Sequence, residues 1–373
     1  MTHIFNFKFG RWALLLLLGT LSAGCFHTHS ASPSEGEAQT VVDMQAQAAM
    51  SNGPSRTDRK KSQATIADNK EWRELVLQAI GLFPDKGGYY TGGKPNKQFA
   101  TTTWQGLNNA YQMGTRDRRP RFDPMKAQPS FCSSATYAVL IKALLMWDDK
   151  HGQRISRQAW VNMKPYVGIA DELNPSGLLQ GDGVGFWGCC NANGPGIGVL
   201  VAELNAGESF TAFRGAKTAE FKETPDEPYL TDEQWAAHPI WQLAKPGDMM
   251  KIFWNRNESR GHDGGAIIGD DGVEEHRQEA GHSVVFLGID KDGEVHYWSS
   301  NGPGEHPETM GYGRAHCPTA DIQRVVFTRI THPERFDNAR NMGPNSVNRY
   351  LRDLNGHLHS TTQQMLKALK INK

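Results

Sequence analysis

The sequence predicts an α+β fold, in which helices come first and an antiparallel sheet follows. Two helical patterns precede a series of short apolar strands bounded by turn residues, which lie at 249–254, 281–289, 294–300 and 324–330. Helices followed by sequentially neighbouring strands are typical of the α+β class. About 300 residues follow the polar N-terminal region, enough for one large domain with insertions or two small ones.

Residues 1–25 have the three parts of an export signal. Lys8 and Arg11 make a basic start, residues 12–18 (WALLLLL) are apolar, and small residues precede Cys25. The apolar part is far shorter than the roughly 18 residues that a membrane-spanning helix needs. We therefore expect an exported protein without a permanent spanning anchor.

The residues before Cys25 resemble a bacterial lipobox, in the form Ser-Ala-Gly-Cys. The resemblance implies cleavage before Cys25, acylation of its sulfur and attachment to a membrane through the lipid. Phe26 stands where an Asp favours retention in the inner membrane, so the expected location is the periplasmic side of the outer membrane. Ordinary cleavage nearby, giving a soluble secreted protein, is the alternative.

The rest of the chain is divided by composition. Residues 26–69 are polar and nearly free of large apolar side chains, which predicts a flexible linker. Residues 70–335 are predicted to form the catalytic domain with a large insertion. Residues 336–373 are expected to be a C-terminal helical extension, with an amphipathic helix over 345–370.

Composition argues against several classes of partner. The 40 basic residues balance the 40 acidic ones and form no basic stripe, so nucleic acid is not an expected partner. The glycine-rich segment 181–196 lacks the Gly-Lys-Ser/Thr of a phosphate loop, and we expect no cofactor. No His-Glu-x-x-His is present, so we expect no metal; a metal-dependent hydrolase built on residues 262–282 is a remote alternative.

Cys132 stands at the predicted start of an apolar helix over 135–147. Ser130 is a natural N-cap and would place Cys132 in the first turn. Unpaired backbone N–H groups and the helix dipole stabilise a thiolate there, which makes the thiol a candidate nucleophile. A buried structural thiol or a disulfide partner is the alternative.

His282 is the candidate general base, at the start of the apolar strand 281–289. A two-residue turn between Asp290 and Gly293 would make cross-strand partners sum to 583, which sets His282 opposite Asn301. Ser299 would then be a diagonal neighbour on the same face. A β-bulge in either strand would break this register.

Four short segments in this order resemble the NlpC/P60 and CHAP groups of papain-like cell-wall cysteine peptidases and amidases. They are Phe131-Cys-Ser-Ser134, Pro246-Gly-Asp248 with Phe253-Trp254, Gly281-His-Ser-Val-Val285 and Trp298-Ser-Ser-Asn301. The resemblance implies a papain-like fold with Cys132 as nucleophile, His282 as general base and acid, and Asn301 as the residue that orients the imidazole.

Several positions stay open under this resemblance. His296 is the rival third member and Ser299 a possible support, because Ser299 stands where CHAP enzymes have an acid. Tyr111 and Gln128 are candidates for the second oxyanion donor beside the Cys132 N–H. The gap of 150 residues between Cys132 and His282 is longer than usual in these families and implies an insertion.

The remaining cysteines suggest a structural bridge. Adjacent cysteines rarely bond to each other, so we expect Cys189 or Cys190 to pair with Cys317, leaving one thiol over.

The sequence thus predicts a lipid-anchored cysteine hydrolase of amide or peptide bonds, with peptidoglycan or peptide as substrate and a membrane as partner. A non-catalytic envelope lipoprotein that binds peptide or glycan in the same cleft is the alternative.

Overall fold

The computed structural model describes residues 67–90, 97–165, 196–215, 226, 228–254, 266–268, 274–277, 281–302, 310–342 and 362–371. The predicted export signal with Cys25, nearly all of the predicted linker, Cys189 and Cys190 lie outside these residues.

Helices and one large sheet make up the described part of the chain. The helices are α1 (Lys70–Ile80), α2 (Thr103–Ala110), α3 (Cys132–Lys150), α4 (Arg157–Asn162), α5 (Ile197–Leu204), α6 (Asp232–Ala236), α7 (Ile240–Leu243) and α8 (Thr362–Ala368). The strands are β1 (Lys86–Gly87), β2 (Tyr111–Gln112), β3 (Arg121–Phe122), β4 (Gly207–Phe213), β5 (Met249–Trp254), β6 (Ala266–Ile268), β7 (Glu274–Arg277), β8 (Gly281–Ile289), β9 (Glu294–Asn301), β10 (Gly311–Pro318) and β11 (Ile322–Ile330).

Seven strands form the main sheet in the order β1-β10-β9-β8-β5-β11-β4, with every neighbouring pair antiparallel. The pairs β2–β3 and β6–β7 are separate two-stranded ribbons. Helices together with a large antiparallel sheet agree with the predicted α+β class.

Apolar side chains cover both faces of the sheet. On one face, α3 packs against α1, β8 and β9, and nearly all of its side chains are buried, as its apolar composition predicts. On the other face, Trp235 and Trp241 pack with Ile252, Phe286 and Phe327. Because both faces of the sheet are closely packed, the neighbouring elements hold β8 in place, including His282 near its start.

A buried ion pair anchors the start of β5. The Asp248 carboxylate accepts two hydrogen bonds from Arg329 on β11, at 3.0 Å to Nε and 2.7 Å to Nη2, and both side chains are almost fully buried. Asp248 also accepts the backbone N–H of Lys245 at 2.8 Å, which closes the Pro-Gly-Asp turn. The Pro246-Gly247-Asp248 motif therefore locks the turn to a neighbouring strand.

The β8–β9 hairpin differs from the predicted two-residue turn in two ways, and their effects on the strand register cancel. Ile289 pairs with Val295, and the backbone N–H of Asp290 donates to the Glu294 carbonyl at 3.1 Å, so the loop is one residue longer than expected. A bulge at Leu287, between the pairs made by Phe286 and Gly288, then shifts the register back by one. Pairs beyond the bulge sum to 583, as expected for His282 and Asn301.

Other element predictions were partly right. The strand 249–254 forms as expected. Helix α2 begins at a reciprocal cap made by Thr102 and Gln105. Strands β4 and β10 were not predicted. Of the helix expected over 345–370, only α8 and the two residues after it lie within the described residues.

The predicted boundary after residue 335 lies within a 3-10 segment, Pro333–Asn341. Phe336 of this segment is fully buried and its ring stacks on Trp72 of α1, with centroids 6.5 Å apart. The first part of the predicted extension is thus packed into the core of the domain.

Candidate functional site

Cys132 is the first residue of α3. The helix begins after Phe131, which is the N-cap, and the Ser134 hydroxyl accepts the Phe131 N–H at 2.9 Å. Ser130 was expected to be the N-cap, but its hydroxyl donates instead to the Ser300 hydroxyl of β9 at 2.7 Å. That buried bond fixes the segment before the helix to the sheet, and so it fixes the position of Cys132.

Tyr89 and Gly106 also hold the segment that leads into Cys132. The backbone of Tyr89 forms a parallel bridge with Ser130, with hydrogen bonds of 2.8 Å and 3.1 Å on either side. Gly106 of α2 lies against the Gln128 backbone so closely that a Cβ there would be 2.2 Å from the Gln128 carbonyl oxygen. The turn that leads into α3 is therefore clamped between a helix and a loop.

Cys132, His282 and Asn301 lie together. The His282 imidazole is close enough to the Cys132 thiol to lower its pKa, and His282 Nε2 lies 3.1 Å from Asn301 Oδ1. Because Nε2 faces Asn301, Nδ1 is the ring nitrogen left for the sulfur. A helix start and two adjacent strands supply the three side chains, so a rigid scaffold brings them together.

The orientation of the Asn301 amide fixes the tautomer of His282. Asn301 Nδ2 donates to the Gly313 carbonyl at 3.2 Å, which leaves Oδ1 to face the imidazole. An amide oxygen can only accept, so Nε2 of His282 must carry a proton. Nδ1 then carries no proton and can accept one.

Two aromatic rings enclose the imidazole. Trp254, at the end of β5, stacks on His282 with centroids 6.2 Å apart and an interplanar angle of 23°. Tyr297 of β9 presents an edge at 5.6 Å and 78°. These two rings pack against the imidazole and restrict its orientation.

The thiol of Cys132 is strongly acidified despite its burial. Burial alone would raise its pKa, but the hydrogen bond and charge of His282 outweigh it, helped by the charge of Lys251 and the backbone N–H of Ser283. The resulting pKa of Cys132 is about 6. The cysteine therefore holds a thiolate at neutral pH, which is the reactive form of the group.

The other residues proposed for this constellation lie elsewhere. His296 bonds the Asp290 carboxylate at 2.9 Å beside the hairpin turn, five residues along β9 from Asn301. Ser299 is fully buried and donates to the Ser283 carbonyl at 2.7 Å, so it supports the strand next to His282. Neither side chain takes the place expected of a third catalytic member or a direct support for the imidazole.

The two oxyanion candidates are also engaged away from the sulfur. The Tyr111 hydroxyl donates to the Trp160 carbonyl in the core, and Gln128 Nε2 donates to the Met125 carbonyl at 2.8 Å. Both line a separate cavity of about 730 Å³ that Lys164 and Asn108 also line. Both residues precede Cys132 in the sequence, but their side chains bond backbone carbonyls and line this cavity.

Tyr89 is a residue of the site that sequence reasoning missed. Its ring packs on Gly302, where a Cβ would come within 3.3 Å, and the Cys132 charge together with burial raises the pKa of its phenol. The signal was the pair Gly87-Gly88, whose positive φ angles of 75° and 71° let the loop reach Ser130. Lys251, described below, was missed as well.

Cys317 is a free thiol on β10, buried among apolar side chains in the cluster around Phe286 and Val295, and burial raises its pKa to about 12. Cys189 and Cys190, its expected disulfide partners, lie outside the described residues.

Within the described ranges no three His, Cys, Asp or Glu side chains are grouped as metal ligands would be. No helix in the part of the chain that the structure describes is long and apolar enough to span a membrane. Comparisons with protein-family models, curated proteins and solved structures gave no significant match.

Proposed function

We propose that this protein is a cysteine-dependent hydrolase of amide or peptide bonds, with peptidoglycan as its substrate. The observation that supports it most strongly is the grouping of Cys132, His282 and Asn301: the imidazole lowers the pKa of a thiol at the start of a buried helix, and its Nε2 lies 3.1 Å from Asn301 Oδ1. A nucleophile, its base and a residue that orients the base are the parts that thiol-based acyl transfer needs.

The acylation half of the reaction follows from these three side chains. The Cys132 thiolate attacks the carbonyl carbon, a C–S bond forms, and the carbonyl electrons move to oxygen. The backbone N–H of Cys132, at the first helical position, has no intrahelical partner and can donate to that oxyanion, with the Tyr89 hydroxyl as the proposed second donor. The C–N bond then breaks, and the amine leaves with the proton from His282 Nδ1.

Deacylation reverses the roles of the imidazole. Neutral His282 takes a proton from water, and the hydroxide attacks the thioester carbonyl. The C–S bond breaks, the carboxylic acid is released, and sulfur leaves with the electron pair as a thiolate beside the imidazolium. Asn301 accepts from Nε2 throughout, which keeps the ring in the plane in which Nδ1 reaches both sulfur and water.

The substrate class rests on the resemblance to the NlpC/P60 and CHAP groups and on the export signal. We propose a papain-like arrangement, in which a helix that begins with the nucleophile packs on an antiparallel sheet carrying the base. Export and lipidation of Cys25 would bring this hydrolase to peptidoglycan, on the periplasmic side of the outer membrane.

Digestion of purified peptidoglycan tests the proposal. The full chain should release soluble fragments with new amino groups, and Cys132→Ala should abolish the release while circular dichroism and Tm stay unchanged. Cys317→Ala is the matched control, since it removes the other described thiol, and it should retain activity. Undiminished digestion by Cys132→Ala would contradict the proposal.

A further inference from the structure

Lys251 is a buried cation whose charge acts on the Cys132 thiol. It lies in the middle of β5 with 3% of its surface exposed, and it is the cross-strand partner of Ser283, the residue after His282. Burying an ammonium group is costly unless its charge interacts with something nearby. The groups near the Lys251 ammonium therefore decide what its charge does.

A chain of hydroxyls connects the ammonium to the sulfur. Lys251 Nζ lies 3.4 Å from Ser283 Oγ, Ser283 Oγ lies 3.3 Å from Ser133 Oγ, and Ser133 Oγ lies 3.8 Å from Cys132 Sγ. All four side chains are buried, and they come from β5, β8 and α3. Hydroxyls in such a chain polarise one another, so a positive charge at one end favours a negative charge at the other.

The other charged or titratable groups around this chain are positioned differently. His282 lowers the pKa of the Cys132 thiol directly, and burial together with the Cys132 charge raises the pKa of the Tyr89 phenol. Beside the ammonium, the Phe253 ring lies 5.7 Å from Nζ, and the Arg324 guanidinium lies 6.0 Å from the same ring. Arg324 also donates to Thr362 at 3.1 Å, on the side of α8. Of these two cations, Lys251 is the one whose charge lowers the pKa of the Cys132 thiol.

We propose that Lys251 is a positioning residue for Cys132: it favours the anionic form of the sulfur through the Ser283 and Ser133 hydroxyls. This inference rests on the proposed function. In the deacylation step sulfur leaves the thioester with an electron pair, and the water proton goes to His282. Lys251 keeps its own protons throughout and stabilises the departing thiolate electrostatically.

Alkylation of Cys132 by iodoacetamide at two pH values tests the proposal, with the site identified by mass spectrometry. Near pH 5, below the Cys132 pKa of about 6, Lys251→Met should react about tenfold more slowly than the native protein, because an opposite charge about 10 Å away lowers a pKa by about one unit at an effective dielectric constant of about 20. Near pH 9 the two proteins should react alike, because both thiols are then ionised. Lys245→Met, which removes a surface ammonium paired with Asp68, is the control and should match the native protein at both pH values.

The outcomes separate this inference from the proposed function. Equal alkylation rates near pH 5 in folded Lys251→Met and native protein would overturn the role of Lys251, whether or not peptidoglycan is digested. Absence of digestion with the tenfold difference retained would overturn only the proposed function. Should Lys251→Met fail to fold, Ser283→Ala breaks the hydroxyl chain and keeps the charge. It should then react more slowly near pH 5 and normally near pH 9, because hydrogen bonds to the charged form of a group favour that form. Unchanged alkylation of that variant would also refute the proposal.

Discussion

Replacing Asn301 by alanine removes the oxygen that orients the imidazole. Asn301 Oδ1 lies 3.1 Å from His282 Nε2, and a hydrogen bond to a group that becomes charged is worth about 1.5–3 kcal/mol. At about 1.36 kcal/mol for each factor of ten, kcat for amide hydrolysis should fall roughly 10- to 150-fold. KM should change little, because the bond acts on the imidazole and not on the substrate.

The assay is release of amino groups from peptidoglycan at saturating and limiting substrate. Asn301→Ala also loses the bond from Nδ2 to the Gly313 carbonyl, so Tm must be measured alongside. Asn338→Ala is the matched control: its amide donates to the Leu204 carbonyl at 3.1 Å, away from the site, and it should retain full kcat. A loss below about threefold in kcat for a folded Asn301→Ala protein would refute the orienting role.

Two further predictions concern the scaffold. Asp248→Asn leaves Arg329 buried without its carboxylate and should lower the free energy of unfolding by about 3–5 kcal/mol, measured by urea denaturation. Glu74→Gln, in an exposed ion pair with Lys70, should cost less than about 1 kcal/mol, and equal costs would contradict the account. Gly106→Ala places a Cβ 2.2 Å from the Gln128 carbonyl oxygen. It should lower the free energy of unfolding by about 1–3 kcal/mol, measured by urea denaturation, and it should also lower kcat. A neutral result would show that the turn before Cys132 is not tightly packed.

The parts of the fold that sequence patterns predicted are those with strong local signals. Strand β5 and the buried helix α3 follow from composition alone, since an apolar run bounded by turn residues has few other structures available. Strand β10 carries the sequence Gly-Tyr-Gly-Arg-Ala-His-Cys-Pro, whose glycines and exposed polar residues hide its alternation. It is a strand because β9 and β1 pair with it, which is information from distant parts of the chain.

The residues of the site also divide into those with a local sequence signal and those placed by contacts between distant parts of the chain. Cys132, His282 and Asn301 could be found because each lies at an element boundary in a short motif. The reasoning for the pair His282–Asn301 was incomplete, since the longer turn and the Leu287 bulge compensate for each other. Tyr89 and Lys251 reach the thiol only through a loop bridge and a cross-strand pair, and neither contact has a signature in the local sequence.

The pH dependence of Cys132 alkylation, followed together with loss of peptidoglycan digestion, tests the central claim most directly. The thiolate is the reactive form, so the alkylation rate should rise with pH around a midpoint of about 6 and fall away below it. Cys317, with a pKa of about 12, should stay unmodified in the folded protein. Modification of Cys132 should abolish digestion in proportion to the fraction alkylated. A midpoint near 8.5, the value of an ordinary thiol, or full digestion by the alkylated protein, would contradict the account.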